Sequence, residues 1–231
     1  MTSDQKAPRH IGYIVDGNRR WAKSHGLPNY EGHLAGYNAI LDVVIATARS
    51  GVEYISAYFF STENWQRPRP EVAKIMRLTN RVVKEDLHLF IENNMRIRWA
   101  GTAEGLSDAL VADIKKAEEM TAHCTGATLI PCFNYGGHQE VLDAMKNIIK
   151  TGVQAEDLTI EDIAAQLYVP EIPPIDLIVR TSGEQRLSNF MLWRAAYSEL
   201  IFLEKFWPDM REDDVRAIIE EYNQRERRLG K

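Results

Sequence analysis

The stretch HIGYIVDGNRRW, residues 10–21, decides the fold. Ile11–Val15 is an unbroken apolar run without polar alternation, the mark of a strand covered on both faces. It leads straight into Asp16-Gly17-Asn18-Arg19-Arg20. In a parallel sheet the C-terminal end of a strand opens onto the ligand crevice. Gly17 lets backbone approach a ligand closely. Backbone N–H groups at a following helix start, with two arginines beside them, suit phosphate. A carboxylate in that company makes sense where Mg²⁺ sits between it and the phosphate. On this segment alone, a turn aspartate with solvated arginines carries equal weight.

Five more runs read as strands: Tyr54–Phe60, Met95–Trp99, Thr128–Phe133, Ile175–Val179 and Glu199–Leu203. Pro131 is a blemish in the fourth strand of the chain, because it removes a ladder donor. Helical spacing of apolar residues marks Tyr37–Arg49, one long helix Glu71–Asn93, Ser107–Thr121 and His138–Lys150. Thr159 is placed to cap a short helix, Ile160–Leu167. A charged helix begins at Asp213 and ends in RERRLGK, and residues 1–9 read as a flexible N-terminus. Alternating strands and helices, with no repeat and no linker, predict an α/β fold. A single domain over residues 1–231 is expected, its six-stranded, mostly parallel sheet flanked by helices.

Composition narrows the function. The chain has 231 residues, 45% apolar and 26% charged, which is globular and excludes a disordered or fibrous chain. Lys+Arg at 28 against Asp+Glu at 33 gives a net charge of −5, which argues against a general nucleic-acid binder. Cys124 and Cys132 stand in no metal-ligand spacing, so a reducing, cytoplasmic compartment is expected. No apolar run approaches membrane-spanning length, leaving at most peripheral membrane contact.

Two further segments carry chemistry. In FFSTENWQRPRPE (59–71), Ser61, Thr62, Asn64, Trp65 and Arg67 follow a strand end. In DLIVRTSGEQRLSNFMLWRAAYSE (176–199), Arg180 lies at a strand end, and Arg186 and Ser188 follow a Gly-containing loop. Arginine suits diphosphate because its planar fork donates two parallel hydrogen bonds. Three strand ends thus direct Arg20, Arg67, Arg180 and Arg186 toward one crevice. A net-acidic chain that concentrates arginines there binds a multiply anionic small molecule.

HIGYIVDGNRRWA, GHLAG, FSTENWQRP, NYGG, RTSGEQRLSNFMLW and YSELIF occur in this order over nearly the whole chain. By these motifs the chain resembles the cis-prenyltransferases, the undecaprenyl diphosphate synthase family. The resemblance implies a Mg²⁺-dependent transferase of isoprenoid biosynthesis that joins an allylic diphosphate to isopentenyl diphosphate with a cis double bond. It implies Asp16 as the essential carboxylate and a Mg²⁺ ligand. Gly17, Asn18, Arg19, Arg20 and His33 would hold the allylic diphosphate, with Trp21, Ser61 and Arg67 beside the substrates. Arg180, Arg186 and Ser188 would hold the diphosphate of isopentenyl diphosphate. Asn64 and Trp65 would orient the substrates, and Glu199 would assist the metal, across a homodimer in some members. Arg228 and Gly230 fit an Arg-x-Gly ending that completes a neighbouring subunit's site, although a frayed basic terminus also fits. Trp193–Phe206 would supply much of the dimer interface. The proton-abstracting base stays open among Asp16, Asn18 through water, and the released diphosphate.

The resemblance also implies an apolar tunnel for the growing chain. Its wall would include Tyr37, Phe59, Thr79, Val83, Met95 and Ala127. Tyr37 and Phe59 stand where long-product enzymes are often small, so a short product of roughly two to four isoprene units and a small starter are expected. An open tunnel, with both rings turned into the core, is the opposing reading. Asn29 stands where an arginine is usual, His138 where Arg is common, and Arg194 in place of Gln. Alternatives are an irregular coupling of two allylic diphosphates, a medium-chain synthase, a non-catalytic partner subunit and a phosphate-monoester hydrolase. The retained Asp16 and arginines argue against the partner subunit, and the lack of a two-metal carboxylate cluster argues against the hydrolase.

Overall fold

The computed structural model describes residues 7–225. Six strands, β1 (His10–Ile14), β2 (Tyr54–Ser61), β3 (Arg96–Ile97), β4 (Thr128–Tyr135), β5 (Leu177–Arg180) and β6 (Glu199–Phe202), form one sheet. Its order is β3-β4-β2-β1-β5-β6 and every pairing is parallel. The sheet is therefore wholly parallel, where the sequence reading expected mostly parallel. Each residue of β1 is buried, as an interior strand with both faces covered requires. Pro131 sits within β4, and its carbonyl accepts from the Ala100 N–H at 3.1 Å.

The helices are α1 (Asn18–Ser24), α2 (Asn29–Arg49), α3 (Arg69–Lys84), α4 (Leu87–Glu92), α5 (Asp108–Thr121), α6 (Gly137–Thr151), α7 (Ile160–Ala165) and α8 (Glu212–Asn223). The caps at Ser107 and Thr159 are made by their side chains. Two helices depart from expectation. α2 begins at Asn29, two turns before Tyr37, because Pro28 supplies the extended residue that opens it. The long helix Glu71–Asn93 is two helices, broken at Glu85–Asp86. At that break the Tyr37 hydroxyl of α2 donates to the Asp86 carboxylate, and Arg81 lies 3.8 Å from the same group. A tertiary contact thus holds the junction where apolar periodicity continues.

Because the sheet is parallel, the residues after β1, β2 and β5 emerge on one edge. Ile14 pairs with Tyr58 on one side and with Arg180 on the other. Trp207, almost fully buried, ties this edge to α2: its indole N–H donates to the Gly36 carbonyl at 2.9 Å, and its backbone N–H donates to the Asp16 carbonyl at 3.0 Å.

Candidate active site

A cavity of about 800 Å³ opens at that edge. Asp16, Asn18, Arg19, Arg20, His33 and Arg180 stand at its polar end, with Lys23 and Asn29 alongside. Its walls run on through Tyr37, Phe59, Ile75, Thr79 and Phe90 to Ile97, Ile114 and Leu129. Charge is gathered at one end and apolar surface fills the rest.

Asp16 is held by its backbone. Its N–H donates to Thr181 Oγ1 at 3.0 Å, and the Thr181 hydroxyl donates to its carbonyl at 2.6 Å. Arg180 Nη2 donates to Asp16 Oδ2 at 2.8 Å, the Gly17 N–H donates to Oδ1 at 2.7 Å, and Arg20 lies 3.4 Å from Oδ1. Partial burial pushes the Asp16 carboxyl up. The hydrogen bond and charge of Arg180, the Gly17 N–H and Arg20 outweigh it and leave the group below the usual carboxylate range. Asp16 is therefore an anion with oxygen donors of the kind Mg²⁺ takes alongside phosphate oxygens. Among the described residues no three metal-ligating side chains cluster, so Asp16 would be a single carboxylate ligand to such an ion, with water and phosphate oxygens completing its shell.

Gly17 has φ +106°, and a Cβ there would lie 2.8 Å from the Phe206 ring and 2.9 Å from Ser182 Cβ. Only glycine turns the chain there without strain. Arg20 then donates to the Ser182 carbonyl and hydroxyl at 3.0 and 2.6 Å. Arg180, 5% exposed, gives Nη1 to Ser188 Oγ at 2.7 Å and to the Arg186 carbonyl at 2.5 Å. Its buried Nε has no partner among the described residues.

On the other side Glu71 gathers two arginines and a histidine. Arg67 and His33 lie 3.4 Å and Arg19 lies 3.9 Å from its Oε1. Burial and the nearby Arg67 charge hold the His33 imidazole below its ordinary value, against the pull of Glu71. Glu71 escaped the sequence reading. Its signal was the charge spacing Arg67-x-x-x-Glu71 at a helix start. Lys23 was also missed: the helix start after Gly17 was expected, but nothing in the sequence showed that its next turn lines the cavity. Of the residues expected here, Gly17, Ser61, Asn64, Arg67 and Ser188 line the cavity.

Others stand elsewhere. Trp21 stacks on His25 at 4.2 Å, with its indole N–H on Asp209 at 2.7 Å. Trp65 donates to Asn134 Oδ1 at 2.7 Å and is 39% exposed. The Arg186 guanidinium turns outward onto Glu184 at 2.5 Å. Glu199 begins β6, opposite Leu177, at the N-terminal edge of the sheet, and pairs with Arg225 at 2.9 Å. Within one chain it does not meet Asp16, because a parallel strand carries its first residue to the far edge. Arg228 and Gly230 lie outside the described residues.

The wall also corrects expectation. Tyr37 and Phe59 both line the cavity, as expected of them. The Tyr37 hydroxyl is turned onto Asp86. Met95 is fully buried in the core and Ala127 packs against the same cluster, and neither is part of the cavity lining. Thr79 does line it, its hydroxyl bonded to the Ile75 carbonyl at 3.1 Å. The Val83 side chain lies outside the described residues.

A model of the family described as "Putative undecaprenyl diphosphate synthase" matches residues 14–230. Isoprenyl transferase 1 of Tropheryma whipplei is 43% identical over 97% of this chain and 92% of its own length. The trans,polycis-polyprenyl diphosphate synthase ((2Z,6E)-farnesyl diphosphate specific) of Thermobifida fusca is 41% identical over 96% of this chain and 80% of its own. Among solved structures, lavandulyl diphosphate synthase from Lavandula x intermedia, in complex with dimethylallyl diphosphate, superposes with a TM-score of 0.93 at 28% identity. That match covers 97% of this chain and 99% of the other.

Proposed function

The chain belongs to the undecaprenyl diphosphate synthase family, and on that premise we propose that it condenses an allylic diphosphate with isopentenyl diphosphate to a short cis-prenyl diphosphate. One observation carries the reading: an apolar cavity whose cationic end also holds an ionised aspartate. A prenyl tail would lie in the apolar part. Its diphosphate would meet Arg19, Arg20, His33 and the Gly17–Asn18 backbone. The isopentenyl diphosphate would take the free Nε of Arg180, Ser188 and a swung-in Arg186. Breaking the allylic C–O bond leaves charge on the departing diphosphate, which fixed donors stabilise where it develops. Mg²⁺ on Asp16 would offset the rest of that charge. Ser61 and Asn64, on the cavity wall, would orient the isopentenyl double bond.

The cavity volume supports a short product. At interior packing density each five-carbon unit fills roughly 110 Å³, so a tail of two to four units occupies about half of the cavity or less and leaves room for the diphosphates. A homodimer in the cytoplasm accompanies this reading. Tyr197 is 79% exposed and Leu200 lies on the edge strand, which suits a surface that a second copy covers. Both cysteines are free and buried, as in a reducing compartment. Among the described residues no helix is long and apolar enough to cross a membrane.

The test is incubation of the purified chain with labelled isopentenyl diphosphate, Mg²⁺ and each of dimethylallyl, geranyl and farnesyl diphosphate, followed by product chromatography. Label moving into a product of two to four units supports the reading. Chains of ten or more units overturn the length, and no transfer from any starter overturns the activity. The likeness to a lavandulyl diphosphate synthase favours a second reading, coupling of two allylic diphosphates. A ten-carbon product from dimethylallyl diphosphate alone would decide for it.

A further inference from the structure

Ser188 reaches Arg180 from a strained segment. Ser188, Asn189 and Met191 have φ of +49°, +66° and +43°, the left-handed region, where asparagine is tolerated and the other two are not at ease. Something must hold this backbone, and Asn189 is where it is held. Its Oδ1 accepts from the His138 N–H at 2.8 Å, its carbonyl accepts from the Gly137 N–H at 2.8 Å, and its Nδ2 donates to Glu63 Oε1 at 2.8 Å. The two glycines of NYGG make room for it. A Cβ on Gly137 would lie 3.0 Å from the Asn189 carbonyl, and one on Gly136 would lie 3.0 Å from Asn189 Nδ2 and 2.6 Å from Thr62 Oγ1.

Three loops therefore meet at one side chain: the turn after β2, the turn after β4 and the arm after β5. From that junction the contacts run on to Ser188 Oγ, then Arg180, then Asp16. Burial pushes the Glu63 carboxyl up, yet the bond from Asn189 and local donors bring it below its ordinary value, so the acceptor is an anion.

We propose that Asn189 and Glu63 are positioning residues for the second diphosphate site, fixing the Ser188–Arg180 arm without touching substrate. The proposal rests on the reading that this arm takes isopentenyl diphosphate. It also gives the NYGG motif a role.

The test exchanges donor and acceptor. Asn189→Asp keeps the bond from His138 but sets two carboxylates face to face. Glu63→Gln in the same chain lets the glutamine amide donate to the new carboxylate. For directly coupled partners, Asn189→Asp is expected to raise the KM for isopentenyl diphosphate about tenfold and to leave the allylic KM within about threefold. The double variant should return to within about threefold of the parent. Asn189→Gly keeps the left-handed backbone, drops both side-chain bonds and decides the matter if the aspartate variant does not fold. Both KM values rising together with a lower Tm, an unchanged KM, or a double variant no better than the single would overturn the proposal. Should the parent chain transfer no label at all, the transferase reading fails separately. Calorimetric titration with inorganic diphosphate then decides: weaker binding in Asn189→Asp, restored in the double variant, sustains the positioning role, and equal binding ends it.

Discussion

Gly32→Ala places a methyl group against the backbone that follows Asp16. A Cβ at Gly32 would lie 2.0 Å from the Asn18 carbonyl oxygen, 2.8 Å from its carbon and 3.0 Å from Ala22 Cβ. A carbon and a carbonyl oxygen rest at about 3.3 Å, so α1 and α2 must part by roughly 1.3 Å. The crowded atom is backbone and cannot rotate away. Overpacking of this kind costs about 1–3 kcal/mol, against a gain of roughly 0.5–1 kcal/mol from replacing a helical glycine. The expected net loss is about 1–2 kcal/mol in urea unfolding. Asn18 stands two residues after Asp16, so the displacement reaches the carboxylate proposed as essential, and misplacement by about 1 Å can lower kcat/KM roughly 100-fold. Gly36→Ala is the control. Its nearest neighbours are the side-chain atoms of Asn18, with Oδ1 at 2.4 Å, and a side chain can turn aside. That variant should lose less than about a third as much stability. If Gly32→Ala equals or exceeds the parent in stability with unchanged kcat/KM, the helices are not packed as described and the reasoning fails.

Asp16→Ala should keep the protein folded and lower turnover by well over tenfold, about 1.4 kcal/mol or more in barrier. A variant retaining more than a tenth of the rate in the labelled-transfer assay excludes an essential carboxylate. Arg194→Leu should destabilise by about 3–5 kcal/mol, because it strands the buried Glu140, 3.0 Å from Arg194 and also bonded by Tyr135. Adding Glu140→Gln should recover part of that loss in the same unfolding assay. His10 is fully buried between the Pro173 carbonyl at 2.9 Å and Ser56 at 2.8 Å. Burial first, then the Arg194 charge, hold it down to about 4. The folded state therefore favours neutral His10. That contribution is complete above pH 6.5 and is lost as pH falls toward 4, up to about 3 kcal/mol. A urea midpoint that falls equally for the parent and His10→Asn over this range would contradict it. Tyr37→Ala with Phe59→Ala should lengthen the product by at least one isoprene unit, and an unchanged distribution would show that neither ring limits chain length.

Much of the site was legible because its parts lie at strand ends, and strand ends are local. An apolar run that stops at Asp16-Gly17-Asn18 announces both the strand and the place where its chemistry emerges. Arg180 is equally plain, ending a run of Leu177–Val179. The helices that bury one face were legible for the same reason, since period 3.6 is written in nearest neighbours along the chain. Where local patterns end, so did the reading. Nothing in the run Val82–Phe90 shows that the helix breaks at Asp86, because the group that holds the break is Tyr37, far away in sequence. The short α1 has too few apolar residues to show a period.

By itself, then, the amino-acid order of this chain determined a mostly parallel α/β sheet, the edge at which the candidate site lies and the cationic, carboxylate-bearing character of that edge. Tertiary structure decided which charges meet. It set Glu71 among Arg19, His33 and Arg67, turned Arg186 outward onto Glu184 and carried Glu199 to the opposite edge. It also brought Glu63, Gly137 and Asn189 to one junction and set Tyr37 and Phe59 on one cavity wall. The physical reason is range. Propensity, periodicity and capping act over a few residues, whereas a salt bridge or a cavity wall depends on distances between segments that only the packed sheet and its helices bring within reach of each other.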